Sequence, residues 1–136
     1  MRNRKYRRHG LGISTIALMV LCITVMVLPM NIAALGYFRC VYIEGTYVPY
    51  EGTYPLSYGD FVNGTFDCPP PPNSTPTFSW RLDQGFWNPI NNVIHLGGGV
   101  YNFNFTMDEW PGVSGTLWIQ ATEGYNETEW HCYYYI

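Results

Sequence analysis

The stretch Leu117-Trp118-Ile119-Gln120-Ala121-Thr122-Glu123-Gly124-Tyr125-Asn126-Glu127-Thr128-Glu129-Trp130-His131-Cys132 decides how this chain is read. Leu117, Ile119 and Ala121 alternate with polar or amphipathic residues, as do Trp130 and Cys132. Period-two alternation marks a strand with one buried face. The same pattern recurs upstream. Val62, Gly64, Phe66 and Cys68 alternate with Asn63, Thr65 and Asp67. Phe78, Trp80 and Leu82 alternate with Ser79 and Arg81, and Tyr101, Phe103 and Phe105 alternate with Asn102 and Asn104. Tyr134 extends the inward set of the last strand. The expectation is an all-β chain of short half-buried strands.

Charge divides the 136 residues into three parts. Residues 1–10 carry Arg2, Arg4, Lys5, Arg7 and Arg8, a basic flank. Residues 11–36 carry no charge and are strongly apolar from Leu11 to Leu28. About 20 apolar residues span a bilayer core as a helix, and a basic flank stays on the cytosolic side. This segment is expected to be either an uncleaved signal-anchor or a signal peptide. The anchor makes a single-pass type II protein with a luminal or extracellular C-terminus. The signal peptide, cut near Gly36 after the small residues Ala34-Leu35-Gly36, makes a secreted one. From Tyr37 onward ten carboxylates face only Arg39 and Arg81, a net charge of −8. An acidic domain excludes the basic surface of a nucleic-acid binder. Its 23 aromatic residues exclude a disordered tail.

Four N-x-Thr sequons, at Asn63, Asn73, Asn104 and Asn126, all fall in the acidic part. They predict N-glycans and passage through an oxidising compartment. Asn63 and Asn104 fall on outward strand positions, and Asn73 and Asn126 in loops. Cys22 lies within the apolar segment. Cys40, Cys68 and Cys132 lie beyond it, an odd number that leaves one thiol over if one bridge forms. No cysteine pair has metal-ligand spacing, and no cofactor motif is present. His95, His131 and the pair Asp108-Glu109 stand without a nucleophile or acid at a telling spacing. The chain is read as a non-enzyme.

Cys68, Trp80 twelve residues later, the apolar alternation Leu117–Ala121, and Cys132 with Trp130 ahead of it resemble the variable-type immunoglobulin domain. The resemblance covers roughly residues 60–136 and leaves residues 37–59 as an N-terminal extension. It implies a β-sandwich in which Cys68 on strand B bridges to Cys132 on strand F, with Trp80 of strand C packed on the bridge. Leu117, Ile119 and Ala121 are then strand E, and Trp130 is a core residue of strand F. Since only Tyr133–Ile136 follow Cys132, strand G is expected to be missing. The bare edge of strand F would be covered either by the strand-like Tyr37–Ile43 or by a partner's strand. Trp130 stands where the family usually has the tyrosine of its corner motif.

These readings converge on a cell-surface or secreted glycoprotein that binds a protein ligand or receptor. Trp87, Trp110, Trp118, Tyr133 and Tyr135 are the expected interface residues, because exposed tryptophan and tyrosine anchor interfaces. Cys40 either stays a free buried thiol or links two copies in a disulfide-bonded homodimer. The architecture resembles the immune-modulating membrane glycoproteins of large DNA viruses such as cytomegaloviruses and adenoviruses. The alternative is an accessory membrane subunit that uses its open strand edge for assembly.

Overall fold

The computed structural model describes residues 35–68 and 75–136. Residues 11–34 of the anchor or signal segment, Asn73 and the Pro69–Pro72 run lie outside the described residues. Among the described residues no helix is long and apolar enough to cross a membrane.

Ten strands follow in order: β1 (Tyr37–Ile43), β2 (Thr46–Tyr47), β3 (Thr53–Pro55), β4 (Phe61–Asp67), β5 (Thr77–Leu82), β6 (Asn88–Ile90), β7 (Asn92–Gly97), β8 (Val100–Thr106), β9 (Ser114–Glu123) and β10 (Asn126–Tyr135). They form two five-stranded sheets, β2-β1-β4-β8-β7 and β3-β10-β9-β5-β6. With β1 as strand A and the rest in chain order, these are the A-B-E-D and G-F-C-C′ sheets of an immunoglobulin-like sandwich. The class expected from the sequence is therefore present.

The alternation translates into two faces. Val62, Phe66, Phe78, Trp80, Tyr101, Phe103, Leu117, Ile119 and Ala121 are all buried, as are Trp130, Cys132 and Tyr134. Aromatic rings bind the sheets together. Phe78 stacks on Phe103 with centroids 5.5 Å apart, and Trp80 stacks on Phe105 at 5.0 Å. Offset stacking adds about 0.5–1.5 kcal/mol per pair beyond area burial. Gly64 has its place because a Cβ there would strike the Phe103 ring and the Cys40 carbonyl.

Four expectations are corrected. First, the sandwich has its last strand. Leu117–Ala121 belong to β9, between β5 and β10, and Trp130–Tyr134 belong to β10. Strand E is β8 instead, paired along its length with β4. The cause is the turn Gly124-Tyr125, which closes a two-residue hairpin with Glu123 opposite Asn126. Gly124 has φ 59°, and a two-residue loop holds both strands in one sheet.

Second, Cys68 and Cys132 are both free thiols. Phe66 packs on Phe78, which pairs with Ala121 of β9, itself paired with Thr128. Cys132 lies four residues beyond that level, ~13 Å along the strand at ~3.3 Å per residue. Cys68 lies beyond it in the other direction. A disulfide needs Cα atoms within about 7 Å. The Cys68 thiol instead donates to the Leu35 carbonyl at 3.1 Å.

Third, Trp80 packs on Phe105 rather than on a bridge. Fourth, residues 37–59 are not an extension. β1 pairs antiparallel with β4 from Tyr37↔Asp67 to Ile43↔Val62, as the first strand of the sandwich. The edge cover is β3, which pairs in parallel with β10 at Tyr133↔Thr53, Tyr134↔Tyr54 and Tyr135↔Pro55.

Candidate functional site

The outer face of the β3-β10-β9-β5-β6 sheet carries a row set by register. Arg81 of β5 pairs with Trp118 of β9, which pairs with His131 of β10. All three alternate with core residues and so point outward. The Arg81 guanidinium carbon sits 4.4 Å above the Trp87 ring and 5.7 Å from the Trp118 ring. Trp118 and His131 have centroids 4.4 Å apart. His131 in turn meets Tyr50 at 4.7 Å and Tyr133 at 5.6 Å, and its Nε2 lies 3.7 Å from Glu51 Oε1. Trp87, Arg81, Trp118, His131, Tyr133 and Tyr50 thus form a continuous band across the sheet. Tyr133 is 46% exposed and Tyr50 56%, Trp87, Arg81 and Trp118 are half-buried, and His131 is buried beneath its neighbours.

Of the five predicted interface residues, Trp87, Trp118 and Tyr133 come together here. Tyr135 follows two residues along the same side of β10. Trp110 does not join them. It stacks on Tyr58 at 4.6 Å, 80% exposed. Sequence reasoning missed Arg81, Tyr50 and His131. Arg81 and His131 occupy outward strand positions that alternation marks. Tyr50 reaches the band through the return of the chain into β3, which periodicity does not record.

One row away along the same face, Ser79 pairs with Gln120, and Gln120 with Glu129. Gln120 Nε2 donates to Glu127 Oε2 at 2.7 Å and more distantly, at 3.4 Å, to Glu129 Oε1. The face is therefore aromatic and cationic at one corner and acidic at the opposite one.

The outer face of the other sheet is different. Asn63 and Asn104 are directly opposed on β4 and β8, and Asn92 Nδ2 donates to Asn104 Oδ1 at 2.6 Å. Thr65 Oγ1 and Asn102 Oδ1 are 3.0 Å apart in the next row. Asn126 opens β10 at the hairpin and is exposed. Cys40 lies half-buried on β1, opposite Thr65 and just past a bulge. Arg39 at that bulge is paired to Asp67 through Nε and Nη2 at 2.7 and 2.6 Å, which raises its pKa.

The buried thiols are inert by their surroundings. Burial pushes the Cys132 thiol up to about 12. Cys68 is raised by burial and then by the charge of Glu123. Thiolates are the reactive form, so both are protected at neutral pH. A cleft of about 350 Å³ beside β6 and β7 is lined mainly by Phe78, Pro89, Ile90, Val93, His95 and Tyr101. His95 stacks on Tyr101 at 4.4 Å within it. Among the described residues no three His, Cys, Asp or Glu side chains cluster as metal ligands.

No protein-family model and no curated protein matches the sequence. Among solved structures the chain is similar to the titin M3 domain, at 19% identity over 71% of this chain and 95% of that one, with a TM-score of 0.34. It is similar also to the titin M4 domain in its trigonal form, at 13% identity over 74% of this chain and 98% of that one, with a TM-score of 0.37.

Proposed function

We propose that this chain is a cell-surface or secreted glycoprotein that binds another protein through the aromatic outer face of the β3-β10-β9-β5-β6 sheet. The observation that carries the reading is the band from Trp87 through Arg81, Trp118 and His131 to Tyr133. Tryptophan, tyrosine and arginine dominate binding energy where they cluster at the centre of an interface. Glycans on Asn63 and Asn104 would cover the outer face of the opposite sheet and leave the aromatic face bare. The basic flank and apolar run of residues 1–36 support a domain outside the cytosol, anchored as a type II protein or released after cleavage near Gly36. On the resemblance to viral immune-modulating glycoproteins, the bound protein is a host immune receptor or its ligand.

Screening the glycosylated full chain against arrayed receptor ectodomains tests this. The expected result is a binder lost in Trp118→Ala and Arg81→Ala but kept in Trp110→Ala. Binding that ignores Trp118 and Arg81 would reassign the surface.

A second reading, an accessory membrane subunit, is favoured by one observation. β3 covers β10 only from Tyr133 to Tyr135, so on the side away from β9 no described strand pairs with Asn126–Trp130. Such an edge accepts a partner's strand. Stoichiometric co-purification with a protein of the producing cell would favour this role.

A further inference from the structure

The acidic part of the chain has two cations, and they are used differently. Arg39 is clamped by Asp67. Arg81 meets no carboxylate among the described residues. It lies between the Trp87 and Trp118 rings, and its Nε is buried with no hydrogen-bond partner. Indole faces shield a guanidinium from water while leaving its charge intact and its N–H edge free for a carboxylate. In a domain with ten carboxylates, this ion is left open to something outside the chain.

The same face supplies the complement. Glu129 is exposed, outward-facing and held only by the long Gln120 contact. Arg81 sits on β5 in the row of Trp118, and Glu129 sits on β10 in the row of Gln120. They are diagonal corners of a rectangle two strand spacings wide, ~9.6 Å, and one two-residue step long, ~6.7 Å. That separation keeps them apart within one copy. A two-fold axis lying in the face, perpendicular to the Arg81–Glu129 line at its midpoint, exchanges the corners. Each Arg81 then lies over the second copy's Glu129, and the two β9 strands cross between them with Trp118 and Gln120 at the centre. A patch complementary to itself closes a two-fold dimer.

We propose that the occupant of this face is a second copy of the chain, joined face to face by two Arg81–Glu129 ion pairs around a core of Trp118, Trp87 and Tyr133. This rests on the reading of the face as a binding surface: the second copy occupies it in the free protein, and a receptor would compete for the same residues. The net charge of −8 on residues 37–136 of each copy repels at long range. The screening length at physiological salt is only about 8 Å, so the pairs in contact decide the outcome.

Sedimentation velocity of the glycosylated full chain, with reductant present to remove any Cys40 link, tests the proposal. A monomer–dimer equilibrium is expected. Arg81→Glu and Glu129→Arg should each weaken it at least tenfold, and the double variant R81E/E129R should restore it. Circular dichroism checks each variant for folding. If Arg81→Glu fails that check, Arg81→Gln takes its place. Glu129→Arg, at an exposed position, reads the same pair independently. A monomer at every concentration, a dimer indifferent to both substitutions, or a double variant no tighter than the singles would overturn the proposal. A chain that stays monomeric yet loses receptor binding in Trp118→Ala would dismiss only the second copy, and the face would remain a binding surface.

Discussion

The Tyr134 hydroxyl donates a 2.6 Å hydrogen bond to Asp83 Oδ2, joining the last strand to the turn after β5. Asp83 is fixed from two further sides. Its Oδ1 accepts the Thr116 N–H at 2.9 Å, and its own N–H donates to the Thr116 carbonyl at 2.8 Å. These bonds hold Asp83 at φ 50°, a conformation that aspartate tolerates better than most residues. Three strands of one sheet, β5, β9 and β10, are thereby tied at one end by a single carboxylate.

Removing the phenol oxygen leaves a charged acceptor without its partner. Tyr134→Phe should cost about 1.5–3 kcal/mol, the range for hydrogen bonds to charged groups. Urea unfolding of the purified chain measures it. A midpoint unchanged from the parent would mean that the bond contributes nothing net.

The same bond sets an alkaline limit. Burial first, then the hydrogen bond to Asp83 and its charge, raise the Tyr134 pKa from 10.0 to about 12. The folded state thus favours the neutral phenol. That stabilisation is whole below pH ~10, where the unfolded tyrosine is also neutral, and is lost as pH rises toward about 12. Stability should fall across this window in the parent and fall less steeply in Tyr134→Phe, as followed by unfolding at graded pH.

Gly115 lies under this cluster. A Cβ at that position would collide with Asp83 Oδ1 and the Tyr134 hydroxyl. Gly115→Ala should therefore destabilise by about 1–3 kcal/mol, the usual cost of overpacking. The double variant with Tyr134→Phe should be less damaged than the sum of the singles, since the phenol oxygen is one of the two obstacles.

Thiol labelling separates the three cysteines beyond the apolar segment. Cys40, half-buried, should react with a maleimide in the native chain, while Cys68 and Cys132 react only after unfolding. A non-reducing peptide map containing a Cys68–Cys132 crosslink would contradict the strand register. If Cys40 joins two copies covalently, Cys40→Ser removes that dimer from non-reducing gels.

Enzymatic release of N-glycans in heavy-oxygen water should mark Asn63, Asn104 and Asn126, each on an outward or turn position. Absence of label at all three would remove the case for a luminal domain.

Alternation made the buried faces legible. Val62, Phe66, Phe78, Trp80, Phe103 and Ile119 occupy the core because a strand writes its two faces into the chain with period two. Neighbourhood was not legible in the same way. Leu117 to Cys132 suits either a crossover between sheets or a hairpin within one, and the cysteine spacing favoured the crossover. The deciding signal was the Gly124-Tyr125 turn, where a tight loop forces β9 and β10 side by side. For the same reason β1 read as strand-like without revealing its sheet. The binding face was half legible: Trp87, Trp118 and Tyr133 stood out by type, whereas Tyr50 joins them only through the return of the chain into β3.

The free thiols at Cys68 and Cys132 bear on how this domain matures. A sandwich stapled across its core acquires its last stability only when an oxidant or an isomerase has acted, on a scale of seconds to hours. Here Phe66, Phe78, Phe103, Trp80 and Phe105 join the sheets with no covalent step. Assembly of the core therefore needs no oxidant. Cys68 and Cys132 stay in that core as thiols, so an oxidising compartment acts on them only where burial lets an oxidant reach.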